Sequence, residues 1–364
     1  MPYRLVRRMI ASGLILAAST SVSAQTPRDT VTVDRDGTIH ADRLVVPLSD
    51  MLSPEARTQI AARLQQHFPA ATGGDAIANA RKATDAFLAP LLARWEAIYP
   101  STITRVVMNG VRTDVVVPKA GIAKENAARI LINLHGGGFF AGSGIGGRLE
   151  AVPLAGRGRI KVVAVDYRLA PEAHFPAASE DVAYVYRALL KDYRPENIGI
   201  YGCSAGGTLV AQAVAWFQQH GLPRPGAIGI FCSGAMPSFW YGGDALSVAP
   251  MLNGQPAPTP EQLKTGAGNL YLAGVDGNDP LVTPGLFPKT LALFPPTLLV
   301  TSTRDSAMSN ALVTNVKLLE VGVETQLFVQ EGTGHGEFTT IPGTPEAMQA
   351  YDLIWTFFDR HLAR

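Results

Sequence analysis

One junction constrains this chain more than any other. Asn197–Tyr201 is a short apolar run of strand character, Ala205–His220 is an amphipathic helix pattern, and Gly202-Cys203-Ser204-Ala205-Gly206-Gly207 lies between them. A strand that passes into a helix through so tight a turn holds Ser204 in a strained backbone state and lifts its Oγ above the sheet. The flanking glycines remove side chains that would collide there. The new helix starts at the serine, so free backbone N–H groups and the helix dipole face it. This is the pattern of a nucleophile elbow. A glycine-rich turn without chemistry is the plain alternative.

The junction belongs to a longer alternation. Strand patterns at Arg129–Leu134, Lys161–Asp166, Asn197–Tyr201, Ala227–Phe231, Thr297–Thr301 and Glu324–Val329 alternate with helix patterns at Ala178–Asp192, Ala205–His220, Ala307–Val321 and Pro345–Leu362. Continuous apolar strands between amphipathic helices predict an α/β fold, with a mostly parallel central sheet covered by helices on both faces. Earlier in the chain, Thr102–Val107 and Thr113–Val117 flank Asn109-Gly110 and read as a β-hairpin. Ser53–Tyr99 reads as helical. Ser53-Pro54-Glu55 is a helix start, and Ile60, Leu64 and Phe68 recur every four residues. A Gly73-Gly74 break precedes a second face of Ala83, Phe87, Leu91 and Trp95. Residues 237–296 are rich in Gly and Pro and read as an irregular excursion from the sheet.

Composition removes other function classes. The 364 residues are 47% apolar and 17% charged, which excludes a disordered chain. Lys+Arg is 31 against Asp+Glu 30, so no electrostatic footprint points to nucleic acid. The two cysteines, Cys203 and Cys232, cannot build a disulfide scaffold or a four-ligand zinc site. They end strands expected to be neighbours, and two small buried hydrophobes are the preferred reading; a disulfide would be permitted in an exported protein.

A second feature supports the elbow. His135-Gly136-Gly137-Gly138-Phe139 follows the Arg129–Leu134 strand. Successive glycines let backbone approach a ligand and point several N–H groups at one oxygen. The amides of Gly137 and Gly138, with that of Ala205, are the expected oxyanion donors. The base should follow the nucleophile by a long interval, in the order Ser, acid, His. His335 and His361 lie far enough downstream. His361 is four residues from the C-terminus on a helix pattern, where a helix-end cation is the simpler role. His335 lies in Gly332-Thr333-Gly334-His335-Gly336, expected as a loop straight after the Glu324–Val329 strand, where active-site groups of such sheets belong. Asp305, after the Thr297–Thr301 strand, is the expected acid that orients the imidazole. Its rivals are Asp276, Asp279, Glu331 and Glu337.

Together these residues resemble the hormone-sensitive-lipase-like family of α/β-hydrolases, also called bacterial esterase family IV. The matching segments are His135–Phe139, Asp166-Tyr167-Arg168-Leu169-Ala170-Pro171-Glu172, Phe175–Ala178 with Asp181, Gly202–Gly207, Asp279-Pro280-Leu281, Asp305 and His335-Gly336. Where the family usually carries Asp, Glu or Thr before the nucleophile, this chain has Cys203. Ser306, Ser309 and Asn310 occupy the stretch where the family often has a second acidic residue. The resemblance implies an α/β-hydrolase fold with a cap built from N-terminal helices. The implied division is an N-terminal segment and cap over 25–100 and a catalytic domain over 101–364. It also implies that Arg168 and Glu172 are buried and structural. The implied activity is hydrolysis of carboxylic esters with Ser204, Asp305 and His335 as triad and no metal or organic cofactor. The implied partner is a small-molecule ester, the chain being a monomer or homodimer. A lyase, an amide hydrolase or a non-catalytic binding protein of the same fold are the alternatives. Phe139, Trp240 and Tyr241, with Phe239, are the expected substrate contacts; an aromatic wall favours a compact acyl or aryl group, and packing of cap on core is its alternative.

Residues 1–24 carry Arg4, Arg7 and Arg8, an apolar run from Met9 through Ala18, and small residues up to Ala24. That is the order of a secretory signal peptide, with a run about half as long as a membrane span requires. Export to the periplasm or the exterior, with cleavage after Ala24, is the expectation; an uncleaved anchor is the alternative.

Overall fold

The structure, a computed structural model, describes residues 31–35, 39–41, 45–66, 75–238, 240–256, 259 and 270–363. The signal-peptide expectation, the Gly73-Gly74 break, Phe68 and Phe239 lie outside the described residues. The described residues divide into two units, Met1–Pro47 and Leu48–Arg364. In the first, β1 (Val31–Val33) and β2 (Ile39–Ala41) form an antiparallel pair.

The second unit is built on an eight-stranded sheet. Its strands are β3 (Ser101–Met108), β4 (Val111–Pro118), β5 (Ile130–Leu134), β6 (Lys161–Val165), β7 (Ile198–Cys203), β8 (Ala227–Phe231), β9 (Thr297–Arg304) and β10 (Thr325–Gly334). Their order is β10-β9-β8-β7-β5-β6-β4-β3. The β3–β4 pair is an antiparallel hairpin, turning where Asn109 and Gly110 both have positive φ (47° and 89°), as a two-residue turn of this hand requires. From β6 through β10 all neighbours run parallel.

The apolar strands are continuous because both faces are covered. Side chains alternate across a strand, so Ile130, Ile132, Leu134, Ile198, Ile200, Ile228 and Ile230 enter one core with helices Ala177–Leu189 and Ala205–Gln219. Leu131, Tyr201, Cys203, Phe231, Leu298 and Val300 enter the other, with Ile145–Gly158 and Pro345–His361. The expected α/β architecture is what forms.

Three elements differ from expectation. The helix Ile145–Gly158 carries four glycines and Pro153, a composition that reads as loop. It is helical because it is buried, and its small residues permit close contact: a Cβ on Gly147 would sit 3.1 Å from that of Ala164 on β6. The excursion holds a helix, Gly243–Leu252. Strand β10 runs five residues past Val329, with a register shift between Gln330 and Gly334. His335 therefore follows the strand end directly rather than sitting in a loop after residue 329.

The N-terminal helices Pro54–Leu64 and Ala76–Ile98 start where the sequence predicts, Ser53 and Asp75 capping them through their side chains. They pack within the same unit as the sheet. Trp95 is fully buried, meets Tyr351 edge-on at 5.2 Å and donates Nε1–H to the Thr339 carbonyl at 2.8 Å. Arg63 Nε donates to Glu337 Oε1 at 2.6 Å, and Glu337 in turn accepts the Gly334 N–H. Arg81 donates to the carbonyls of Phe140 and Ala170 at 2.6 and 2.8 Å.

Candidate active site

Strand β7 ends at Cys203 and the next helix begins at Ala205, so Ser204 makes the whole turn. It does so at φ 60° and ψ −122°, a backbone state that costs a non-glycine residue about 1–3 kcal/mol and persists only where its surroundings enforce it. The enforcement is visible. The Ser204 N–H donates to the Phe231 carbonyl at 2.8 Å, and its carbonyl accepts the Thr208 N–H at 3.1 Å. A Cβ on Gly202 or Gly206 would run into the Leu134 carbonyl, and one on Gly207 into that of Phe231.

Three side chains from three strand ends meet here. Ser204 Oγ lies 2.8 Å from His335 Nε2, and His335 Nδ1 lies 2.6 Å from Asp305 Oδ1. Asp305 is fully buried; its Oδ1 also accepts the Ala307 N–H and its Oδ2 the Thr301 hydroxyl, both at 2.8 Å. Burial alone would push its carboxyl up. The facing His335 and these hydrogen bonds outweigh that and hold it below the ordinary carboxylate value. Burial likewise works against a charged His335, and the Asp305 carboxylate overrides it, raising the imidazole above its ordinary value. An imidazole linked to a hydroxyl on one side and an ionised carboxylate on the other can take the hydroxyl proton.

The glycine loop closes on this group from β5. Tyr167 donates its hydroxyl to the His135 carbonyl at 2.6 Å and stacks on the His135 ring at 4.3 Å. The Gly136 carbonyl and His135 Nδ1 are 2.7 Å apart. Gly137 and Gly138 have φ of 118° and 61°, and the Gly137 carbonyl turns back to accept the N–H groups of Phe140 and Ala141. A Cβ on Gly136 would lie 3.4 Å from the Ser204 Cβ, so loop and elbow are packed backbone to backbone.

Several expectations need correction. The Phe139 ring is not a substrate contact: it is 1% exposed and stacked on Tyr271 at 4.6 Å, because its positive φ of 63° turns the side chain into the core. Arg168 and Glu172 are not buried. Arg168 is half-exposed and holds Asp181 and the Ala177 carbonyl, while Glu172 is largely exposed and pairs with Arg81. Trp240 and Tyr241 are half-buried, and Trp240 borders Gly277 and the core. Of the rival acids, Glu337 is buried against Gly334 and Arg63, and Asp276 and Asp279 each cap a nearby backbone N–H. Glu331 is exposed. His361 lies 3.6 Å from Glu324 at the end of the last helix. Cys203 and Cys232 are buried free thiols. Among the described residues no group of three His, Cys, Asp or Glu side chains is placed to hold a metal ion, and no helix is long and apolar enough to cross a membrane.

A family profile described as the α/β-hydrolase fold matches residues 131–339, more than half of the chain. The chain belongs to the α/β-hydrolase fold family. A solved esterase structure superposes on this α/β hydrolase with a TM-score of 0.78 at 27% identity, over 88% of this chain and 98% of that one. A second, an esterase from the bacterial hormone-sensitive lipase family, superposes with a TM-score of 0.70 at 27% identity, over 85% and 99%. The resemblance read from the motifs is thus shared with a solved member of that family. Among curated sequences, LipR of Mycobacterium tuberculosis, whose name proposes an acetyl-hydrolase, is 36% identical over 146 residues, 40% of this chain and 46% of that one. The chain spans less than half the length of the curated relatives it matches.

Proposed function

We propose that this α/β hydrolase is a serine carboxylic-ester hydrolase that acts on short-chain or aryl esters, lactones among them, through an acyl-enzyme. The observation that carries the proposal is the unbroken line of hydrogen bonds from buried Asp305 through His335 to the Ser204 hydroxyl. In the proposed cycle Ser204 Oγ attacks the ester carbonyl while His335 Nε2 takes its proton. The N–H groups of Gly137, Gly138 and Ala205 meet the charge that develops on the carbonyl oxygen, a donor set in which each member is typically worth ~10²–10³ in rate. His335 then protonates the leaving alcohol, and next deprotonates the water that releases the acid. Asp305 stays ionised throughout and supports the imidazolium. The scheme uses no metal and no organic cofactor.

Trp240 and Tyr241, half-buried after β8, are proposed to bound the acyl pocket. The test of the whole reading is a chromogenic ester assay with a serine-directed phosphonate. Rapid turnover of p-nitrophenyl butyrate, blocked by stoichiometric labelling of Ser204 and lost about 10⁴-fold or more in Ser204→Ala, is the expected result. A purified, folded Ser204→Ala within tenfold of the parent would sink it. Export is proposed on the residue 1–24 pattern. Mass spectrometry of the exported chain should find Gln25 first, and a chain retaining Met9–Ala18 would overturn cleavage.

A further inference from the structure

Glu150 is an acid for which the proposed cycle has no use, yet it sits behind both halves of the machinery. It projects from the helix Ile145–Gly158 and is 9% exposed. Its Oε1 accepts the Gly136 N–H at 2.8 Å and its Oε2 accepts the Asn133 side-chain amide at 2.9 Å. The backbone of Cys203, one residue before Ser204, lies close enough to favour the ionised form of this carboxylate. Residue 150 therefore ties the head of the glycine loop to β5 through its side chain and to β7 through its carbonyl, which accepts the Tyr201 hydroxyl at 3.2 Å. The other side of the Gly136 residue is held as well, since its carbonyl pairs with His135 Nδ1. That fixes the rotation of the peptide whose N–H belongs to Gly137. The fit leaves no slack: a Cβ on Gly136 would stand 3.1 Å from the Cys203 carbonyl oxygen.

We propose that Glu150 is the positioning residue that registers the Gly137 and Gly138 amides against Ser204, and that turnover requires it ionised. The inference rests on the ester-hydrolase reading. Two N–H donors, one on each oxygen, hold this group. An ionised carboxylate satisfies both, whereas a protonated one loses an acceptor site and keeps its own O–H paired only if Asn133 turns its amide away from the present bond. Burial pushes the Glu150 carboxyl up to about 7, against the pull of those hydrogen bonds. The switch between the two states therefore falls within the ordinary assay range. The titratable groups that face Glu150 do not blur it. Burial pushes the Tyr167, Tyr201 and Tyr351 phenols up. The Cys203 thiol is raised by its hydrogen bond to Cys232 and by burial, and the Cys232 thiol by burial. All five stay neutral where Glu150 titrates.

The experiment is a pH profile of kcat/KM for p-nitrophenyl butyrate on the parent protein and on Glu150→Gln. In the parent, His335 and Glu150 must both lose a proton, so the acid limb of the logarithmic plot should approach a slope of two. In Glu150→Gln the slope should fall to one. Its kcat at pH 8 should drop about tenfold or more with KM little changed, because the loss is in oxyanion stabilisation. The substituted amide can still pair with Asn133, whose Oδ1 is buried without a partner, so the variant should fold and melt no lower than the parent at pH 8. Equal slopes, or an unchanged kcat, overturn the proposal. If the variant does not fold, the parent alone decides: a limb of slope one across the range overturns it and a slope approaching two upholds it. A parent that turns over no ester sinks the functional reading and the inference with it, whereas turnover with a slope of one sinks the inference alone.

Discussion

Replacing Asp305 by Asn removes a charge and almost nothing else, and the surroundings dictate how the new amide sits. Oδ1 accepts from both His335 and the Ala307 N–H, whereas Oδ2 faces only the Thr301 hydroxyl. With the amide oxygen at the Oδ1 position both N–H groups keep their acceptor, and the Thr301 hydroxyl turns to accept from the NH₂. The opposite orientation would aim the NH₂ at the Ala307 N–H. The Asn variant should thus preserve the His335 tautomer and lose only the carboxylate that steadies the imidazolium. Two unit charges about 4 Å apart at an effective dielectric constant of about 20 attract by about 4 kcal/mol, or about a thousandfold in rate. A failed tautomer costs about 10⁴ in serine hydrolases of this type. The expectation is therefore a loss of about 10³ in kcat for p-nitrophenyl butyrate, above the floor set by Ser204→Ala. A loss that reaches that floor would refute the orientation argument, and a loss under tenfold would refute the role of the charge.

Three further outcomes follow from the site. The Asp305 carboxylate raises His335, which acts only when neutral, so kcat/KM should decline as pH falls through a value above about 6.5, the ordinary one for His; in Asp305→Asn the midpoint should move to lower pH, and a midpoint that stays fixed would show the pair uncoupled. Across p-nitrophenyl esters kcat/KM should peak at or below about six acyl carbons, because an added methylene gains about 0.8 kcal/mol only where it is buried; Trp240→Ala should move the peak to longer chains, and a rate still rising at about twelve carbons in the parent would refute a compact pocket. Cys203 and Cys232, buried as thiols, should resist alkylation in the native protein and react at both positions after denaturation; recovery of a linked Cys203–Cys232 peptide would contradict the free state.

What the sequence made legible was periodicity and punctuation. The buried parallel strands announced themselves as short apolar runs, and β5 and β8 end where those runs end. Ser204, Asp305 and His335 could be picked out because each follows a strand, and the structure brings His335 within hydrogen-bond reach of both Ser204 and Asp305. What stayed hidden was set by tertiary packing. The helix Ile145–Gly158 has glycines where a surface helix would have polar residues, since it lies between the sheet and other helices. Nothing local marks Glu150 as the partner of Gly136, fourteen residues earlier. The single acidic residue of that helix, set among small and apolar residues and two arginines, was the available signal. The direction of the Phe139 ring depends on its positive φ, which the preceding glycines suggested for the loop but not for that side chain.

Two of the arginines on the N-terminal helices, Arg63 and Arg81, make those helices difficult to exchange. Arg63 reaches the loop that carries His335 by way of Glu337, and Arg81 reaches the glycine loop at the Phe140 carbonyl. A chimera that took residues 48–99 from a relative would keep the sheet, the elbow and every reacting group, yet withdraw both struts in one step. Such grafts would then report on turnover as well as on substrate choice, unless the donor segment brings a guanidinium to each of these two anchor points.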